Sequence, residues 1–148
     1  SRANSVYVYN NAVYTGGYYF DGSKIIPCYW TDSSKTDLAG DGTNPAYVNS
    51  IYISGGVVYS CGYYNNGTKD IPCYWTGTAA TPVELPADTS GNYNAYANTI
   101  KVINGTVYIG GSYSTDGTSY RACYWVNTER TDLEAAGNIS TVNSIYIY

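Results

Sequence analysis

Four segments of this chain carry one motif at near-even spacing: Asn4-Ser5-Val6-Tyr7-Val8, Asn49-Ser50-Ile51-Tyr52-Ile53, Asn98-Thr99-Ile100-Lys101-Val102 and Asn143-Ser144-Ile145-Tyr146-Ile147. Successive copies start 45, 49 and 45 residues apart. A fixed period of that length marks a repeat architecture, in which one supersecondary unit buries its apolar face only against a neighbouring unit. Each copy alternates in the way of a short β-strand.

The residues after each copy repeat as well. A tight turn comes first, Asn10-Asn11, Gly55-Gly56 and Asn104-Gly105. These residues accept the positive φ that a two-residue hairpin demands at both central positions. A second strand runs Val13-Tyr14-Thr15-Gly16-Gly17-Tyr18, Val58-Tyr59-Ser60-Cys61-Gly62-Tyr63 and Val107-Tyr108-Ile109-Gly110-Gly111-Ser112. A turn at Asp21-Gly22, Asn66-Gly67 and Asp116-Gly117 leads to a third strand ending in Cys28-Tyr29-Trp30, Cys73-Tyr74-Trp75 and Cys123-Tyr124-Trp125. A short fourth strand closes the unit at Thr36-Asp37-Leu38, Val83-Glu84-Leu85 and Thr131-Asp132-Leu133.

The expected fold is therefore all-β: tandem four-stranded antiparallel blades of β-propeller type, three units plus one extra first strand. The boundaries fall at about 4–48, 49–97 and 98–142, with the extra strand at 143–148, all in one repeat array over 1–148. The third strand supports blades over an open sheet. Alternation puts Ile26, Cys28 and Trp30 on one face and Pro27 and Tyr29 on the other, and neither face is charged. A sheet covered on one side alternates apolar with polar; a blade between two neighbours need not. Twenty Tyr against one Phe, and 16 Gly, suit strands rather than helices.

The Val-Tyr-x-Gly-Gly run followed by an aromatic strand ending in Trp resembles the kelch and related bacterial secreted propeller repeats, which implies the fold and no particular activity. The Cys-Tyr-Trp strand is not part of the kelch pattern.

Propellers usually have four to eight blades, and three do not close a ring. The expected partners are thus copies of the chain or further blades. Three arrangements stay open: a piece of a longer array, an oligomeric ring, or an open polymer linked by blade faces or a donated strand.

Chemistry is sparsely encoded. There is no His, which removes the most common general acid–base residue and any Ser-His-Asp arrangement. Asp37, Glu84 and Asp132 recur at equivalent places, as blade residues do and a catalytic pair would not. No enzyme, cofactor or metal is expected. Cys28, Trp30, Cys73, Trp75, Cys123 and Trp125 read as structural core, the cysteines as small buried hydrophobes. Cys61 stands where the other copies have Gly16 and Gly110, and faces Cys73 or Ile71 depending on the length of the hairpin turn. Seven scattered cations and a net charge of −4 argue against nucleic acid. No apolar run reaches the ~20 residues of a membrane span. The low charge and the abundance of Tyr, Thr, Ser, Asn and Gly fit a secreted or cell-surface protein.

Two functions are compatible with this: a non-catalytic module for structural assembly or adhesion, or a carbohydrate-binding, lectin-like propeller using the loops between blades. Candidate glycan contacts in those loops are Asp41, Asn44, Asp88, Asn92, Tyr93, Tyr96 and Asn138, which combine an aromatic face for a sugar ring with amides and carboxylates for its hydroxyls.

Overall fold

Asn10, Asn11, Gly55, Gly56, Asn104 and Gly105 all adopt positive φ, between 48° and 80°, so the first hairpin of every unit closes by the left-handed pair its residues demand. A computed structural model of the protein describes residues 1–78, 81–87, 92–133 and 139–147. The chain forms three four-stranded antiparallel sheets. Blade 1 comprises β1 (Arg2–Tyr9), β2 (Ala12–Phe20), β3 (Ile25–Thr31) and β4 (Ser34–Asp37). Blade 2 comprises β5 (Ala46–Ser54), β6 (Val57–Asn65), β7 (Asp70–Thr76) and β8 (Val83–Glu84). Blade 3 comprises β9 (Ala95–Ile103), β10 (Thr106–Ser114), β11 (Tyr120–Val126) and β12 (Glu129–Asp132). Strand order within each blade is sequential, an up-and-down meander.

One irregularity recurs in all three blades. The first strand skips a residue in its register with the second: Asn4, Asn49 and Asn98 are each bulged out. The bulge pushes the carbonyl of Arg2, Tyr47 or Tyr96 toward the facing strand, where a Cβ on Gly17, Gly62 or Gly111 would collide with it. Only glycine fits there. The bulge in turn aims the asparagine side chain at the next blade. The Nδ2 of Asn4 donates to the Val48 carbonyl at 2.7 Å, that of Asn49 to Ala97 at 3.0 Å, and that of Asn98 to Val142 at 3.0 Å.

Blades stack face to face, and each contact has two sides. The outgoing face of blade 1 offers Tyr14, Tyr29 and Leu38 to the incoming Ile51, Ile53, Val58 and Trp75 of blade 2. Tyr59, Tyr74 and Leu85 meet Ile100, Val102, Val107 and Trp125 in the same way. The indole of the incoming Trp reaches back, Trp75 to the Ala39 carbonyl at 2.7 Å and Trp125 to the Pro86 carbonyl at 2.8 Å. Trp30 has the same place in blade 1, but its incoming face is bare, so it is only half-buried and its indole N–H has no partner among the described residues.

Cys61 pairs across the hairpin with Tyr74, and Cys73 with Gly62, so neither register expected from sequence is adopted. The turn is one residue longer than a three-residue loop: Asn65 still pairs with Asp70, and residues 66–69 form the connection. All four cysteines are buried free thiols. The reason for Cys61 lies in the neighbouring blade. A Cβ on Gly16 would stand 3.0 Å from Val48 Cγ1, and one on Gly110 2.5 Å from Val142 Cγ1. At the middle junction the larger Cys61 shares a core with Ala97, the smaller counterpart of those valines. Volume is conserved across the junction: Gly with Val, Cys with Ala, Gly with Val.

Residues 142–147 carry the sequence of a first strand and lie on the outgoing face of blade 3 against Gly110, yet join none of the three sheets. Among the described residues no second strand is present for them to pair with.

Ala97→Val should overpack the middle junction and cost about 1–3 kcal/mol, while Cys61→Gly should leave a void. The double variant Cys61→Gly/Ala97→Val should recover most of the loss in a urea double-mutant cycle. Simple additivity would show that the two side chains do not compete for one space.

Candidate functional site

The carboxylates and polar loop residues are mostly engaged in the fold itself. Asp41 accepts from the backbone N–H of Thr43 and Asn44 at 2.9 and 2.7 Å and from Asn44 Nδ2 at 2.6 Å, so the two close their own turn. The ring of Tyr93 lies over Gly117, and Asn92 is exposed. Asp88 and Asn138 lie outside the described residues. Asp37, Glu84 and Asp132 accept from the phenols of Tyr19, Tyr64 and Tyr113, linking the fourth strand of each blade to its second. Of the expected contact residues, Tyr96 stands at a cavity.

That cavity exists because a tyrosine ladder breaks. Five rings run across the blades in succession. Tyr18 meets Tyr47 edge-on at 4.9 Å, Tyr47 stacks on Tyr63 at 4.7 Å, Tyr63 meets Tyr96 edge-on at 4.8 Å, and Tyr96 meets Tyr120 at 5.6 Å. Edge-to-face and offset-stacked pairs at these separations are the favoured arrangements. Within blade 2 the cross-strand pair is Tyr47 with Tyr63; in blade 3 it is Tyr96 with Ser112. By the repeat register, Thr141 then stands where Tyr96 and Tyr47 stood. Two ring-sized side chains are thus replaced by hydroxyls at one spot.

The space left is an open cavity of about 490 Å³, within the range of small-molecule sites. Tyr96 and Tyr120 form its aromatic wall, Ile139 an apolar one, and Asn98, Ser112, Thr141 and Asn143 supply polar groups. Asn98 holds Thr141 Oγ1 at 2.9 Å as well as the Val142 carbonyl, which fixes the position of that side. Backbone contacts from Ser140 N–H to the Tyr120 carbonyl at 2.8 Å and from Val142 N–H to the Gly111 carbonyl at 3.2 Å do the same. The Ser112 hydroxyl and the Asn143 amide have no partner among the described residues. Among the described residues no lysine, arginine, aspartate or glutamate lines the space. Sequence reasoning passed over Ser112, Thr141 and Asn143. The signal was available as a departure of Ser112 from Tyr18 and Tyr63 at one repeat position.

Other chemistry finds little support in the geometry. Among the described residues no three His, Cys, Asp or Glu converge. Burial pushes the thiols of Cys28 and Cys123 up to about 12 and those of Cys61 and Cys73 also well above their usual range, so all four stay protonated and poorly nucleophilic near neutral pH.

No protein-family model matches the chain, and no curated protein does. A solved structure of similar fold is a fucose lectin from Kordia zhangzhouensis in complex with methyl-fucoside. It shares 14% identity at a TM-score of 0.57, over 86% of this chain and 95% of that one. The likeness supports the blade architecture; nothing specific to kelch repeats accompanies it.

The ladder has a pH signature. Burial, then the neighbouring Tyr47 and Asp70, raises the Tyr63 phenol to about 12, and burial together with Tyr120 and Asp70 raises Tyr96 further. Below the ordinary tyrosine value of about 10 both states are protonated and the ladder contributes fully. Above it the unfolded chain ionises first, so stability should fall between about pH 10 and 12. Urea midpoints measured across that window should drop, and the drop should be smaller for Tyr63→Phe. An equal drop in the variant would exclude Tyr63 as its source.

Proposed function

We propose that the protein is a non-catalytic glycan-binding module acting outside the cell, with its site in the cavity between blade 3 and residues 139–143. The observation that carries this is the double loss of tyrosine at Ser112 and Thr141, which opens one polar, uncharged cavity in an otherwise continuous aromatic stack. A flat aromatic wall accepts the C–H face of a sugar ring, while a free serine hydroxyl and a free amide match its hydroxyls. The uncharged lining supplied by the described residues favours a neutral sugar over sialic or uronic acids. Ile139 gives an apolar surface suited to a deoxy or methyl substituent. The sugar carried by the fucose lectin of similar fold makes methyl-fucoside the first ligand to try. Loops borne on a rigid stack are where such sites commonly sit. Extracellular placement rests on composition. A role in adhesion follows if the bound glycan belongs to a surface.

Titration calorimetry with methyl-fucoside, followed by a glycan array, tests the proposal. Ser112→Tyr should refill the cavity and abolish binding, and Tyr96→Ala should weaken it by about tenfold, equivalent to about 1.4 kcal/mol. Silence over the whole array, or a Ser112→Tyr variant that binds like wild type, would sink it.

A further inference from the structure

Two surfaces of the molecule are the unmatched halves of a junction that it already builds twice. On the incoming face of blade 1, Val6, Val8 and Val13 are 66%, 64% and 41% exposed. Their counterparts Ile51, Ile53 and Val58, and Ile100, Val102 and Val107, are all at most 8% exposed. On the outgoing face of blade 3, Leu133 is 53% exposed where Leu38 and Leu85 are buried. Beside it lies an apolar groove of about 350 Å³ between Tyr108, Tyr124 and Leu133 on one side and Val142, Ile145 and Ile147 on the other. At the two internal junctions the incoming valine and tryptophan of the next blade pack in the matching core. Val13 and Trp30 are the pair left over.

We infer that blade 3 of one copy receives blade 1 of a second copy, and that residues 142–147 of the first replace β1 of the second in pairing with its β2. The occupant is thus another copy of this chain, and the junction is the internal one repeated, with one strand exchanged. Three observations favour exchange over simple docking of β1. Val142 already fills the space over Gly110 as Val48 fills that over Gly16, whereas β1 offers Ala3 at that position and would leave a gap. Asn98 already holds the Val142 carbonyl, the same link that joins blades 1, 2 and 3. Residues 142–147 belong to no sheet, yet repeat β1 almost residue for residue, Asn-Ser-Ile-Tyr-Ile for Asn-Ser-Val-Tyr-Val.

The exchange accounts for the remaining loose ends. Opposite β2 of the second copy, Asn143 becomes the bulged residue. Gly17 then faces the incoming carbonyl, as it now faces that of Arg2. The Asn143 amide, unpaired here, then reaches the partner's Val48 carbonyl, as Asn4 does now. Exchanging one strand for a near-identical one costs little, and Ile145 and Ile147 take the places of Val6 and Val8; the gain is the burial of Val13, Trp30 and the groove beside Leu133. Because the two surfaces differ, the contact is head-to-tail; it closes into a ring or grows, according to its rotation.

Light scattering on a sizing column, over a range of concentrations and without sugar, tests this separately from the glycan reading. Wild type should run as a multiple of its 16.0 kDa chain mass. Ile145→Asp/Ile147→Asp should fall to single chains, and Val6→Asp/Val8→Asp should stay assembled, because β1 is the displaced strand. Wild type at one chain mass throughout overturns the inference, and so does dissociation of the Val6/Val8 variant or persistence of the Ile145/Ile147 variant. A second measurement guards against misfolded variants. Val13→Cys/Ile147→Cys places two thiols at the register of the Val8–Val13 pair, within disulfide reach. Mild oxidation should then give chain-to-chain links on a non-reducing gel, and only single chains would overturn exchange.

Discussion

The bulged asparagine and the glycine opposite it fix most of what else the molecule does. A regular first strand would point Asn4, Asn49 and Asn98 along the pleat, where they would meet solvent or their own sheet. The extra residue turns each side chain out of the blade and onto a backbone carbonyl of the next. A single such bond is worth only about 1 kcal/mol net. Its larger consequence is geometric: it sets the height at which one blade meets the next, and therefore which apolar side chains face each other. The bulge is possible only where Gly17, Gly62 or Gly111 leaves room for the displaced carbonyl. Three glycines thus act on packing between blades through the carbonyl they admit.

Given that register, the junctions behave as paired surfaces with a fixed volume to fill. The Gly–Val, Cys–Ala, Gly–Val series shows that one side chain grows where its partner shrinks, so the repeat drifts in sequence while the interface stays filled. The tyrosine ladder departs from this rule. At Ser112 and Thr141 both partners shrink together, and an open space remains. In a repeat protein such an uncompensated position, open to solvent, is the one to examine for a ligand.

The architecture was legible because turns and strands are written locally. Asn10-Asn11 and Gly55-Gly56 announce their hairpins by conformational preference alone, and the alternation in Ile71, Cys73 and Trp75 shows a sheet covered on both faces. The site was not legible in the same way. Polar loop residues such as Asp41 and Asn44 suggested ligand contacts, but residues of that kind also satisfy turn backbones, and these do. Cys61 is explained by Ala97, 36 positions later, through a contact between sheets that no local pattern records. What sequence did carry, and what a search for catalytic or metal-binding types overlooks, was the single serine among tyrosines at one repeat position.

The site and the bare junction share one structural element. Thr141 and Asn143 form one wall of the cavity, and the same short segment bears Val142, Ile145 and Ile147, which cover blade 3. On the proposed reading, a sugar held between that wall and Tyr96 would draw on residues 141 and 143 as they are placed against blade 3, and would stabilise that arrangement in proportion to its occupancy. A second copy pairing its β2 with the segment favours the same form. Because both would use this element, each changes the affinity of the other by an equal factor, upward through the shared seated form and downward where both call on the Asn143 amide. The aromatic side of the cavity, by contrast, is held by blade 3 and by the Tyr96–Asp70 bond at 3.0 Å, and is present whether or not the segment is seated. Glycan recognition and chain association, if both occur, are therefore coupled through nine residues of backbone rather than through the blades, and the strength of that coupling is set by how firmly Asn98 holds Thr141 and Val142.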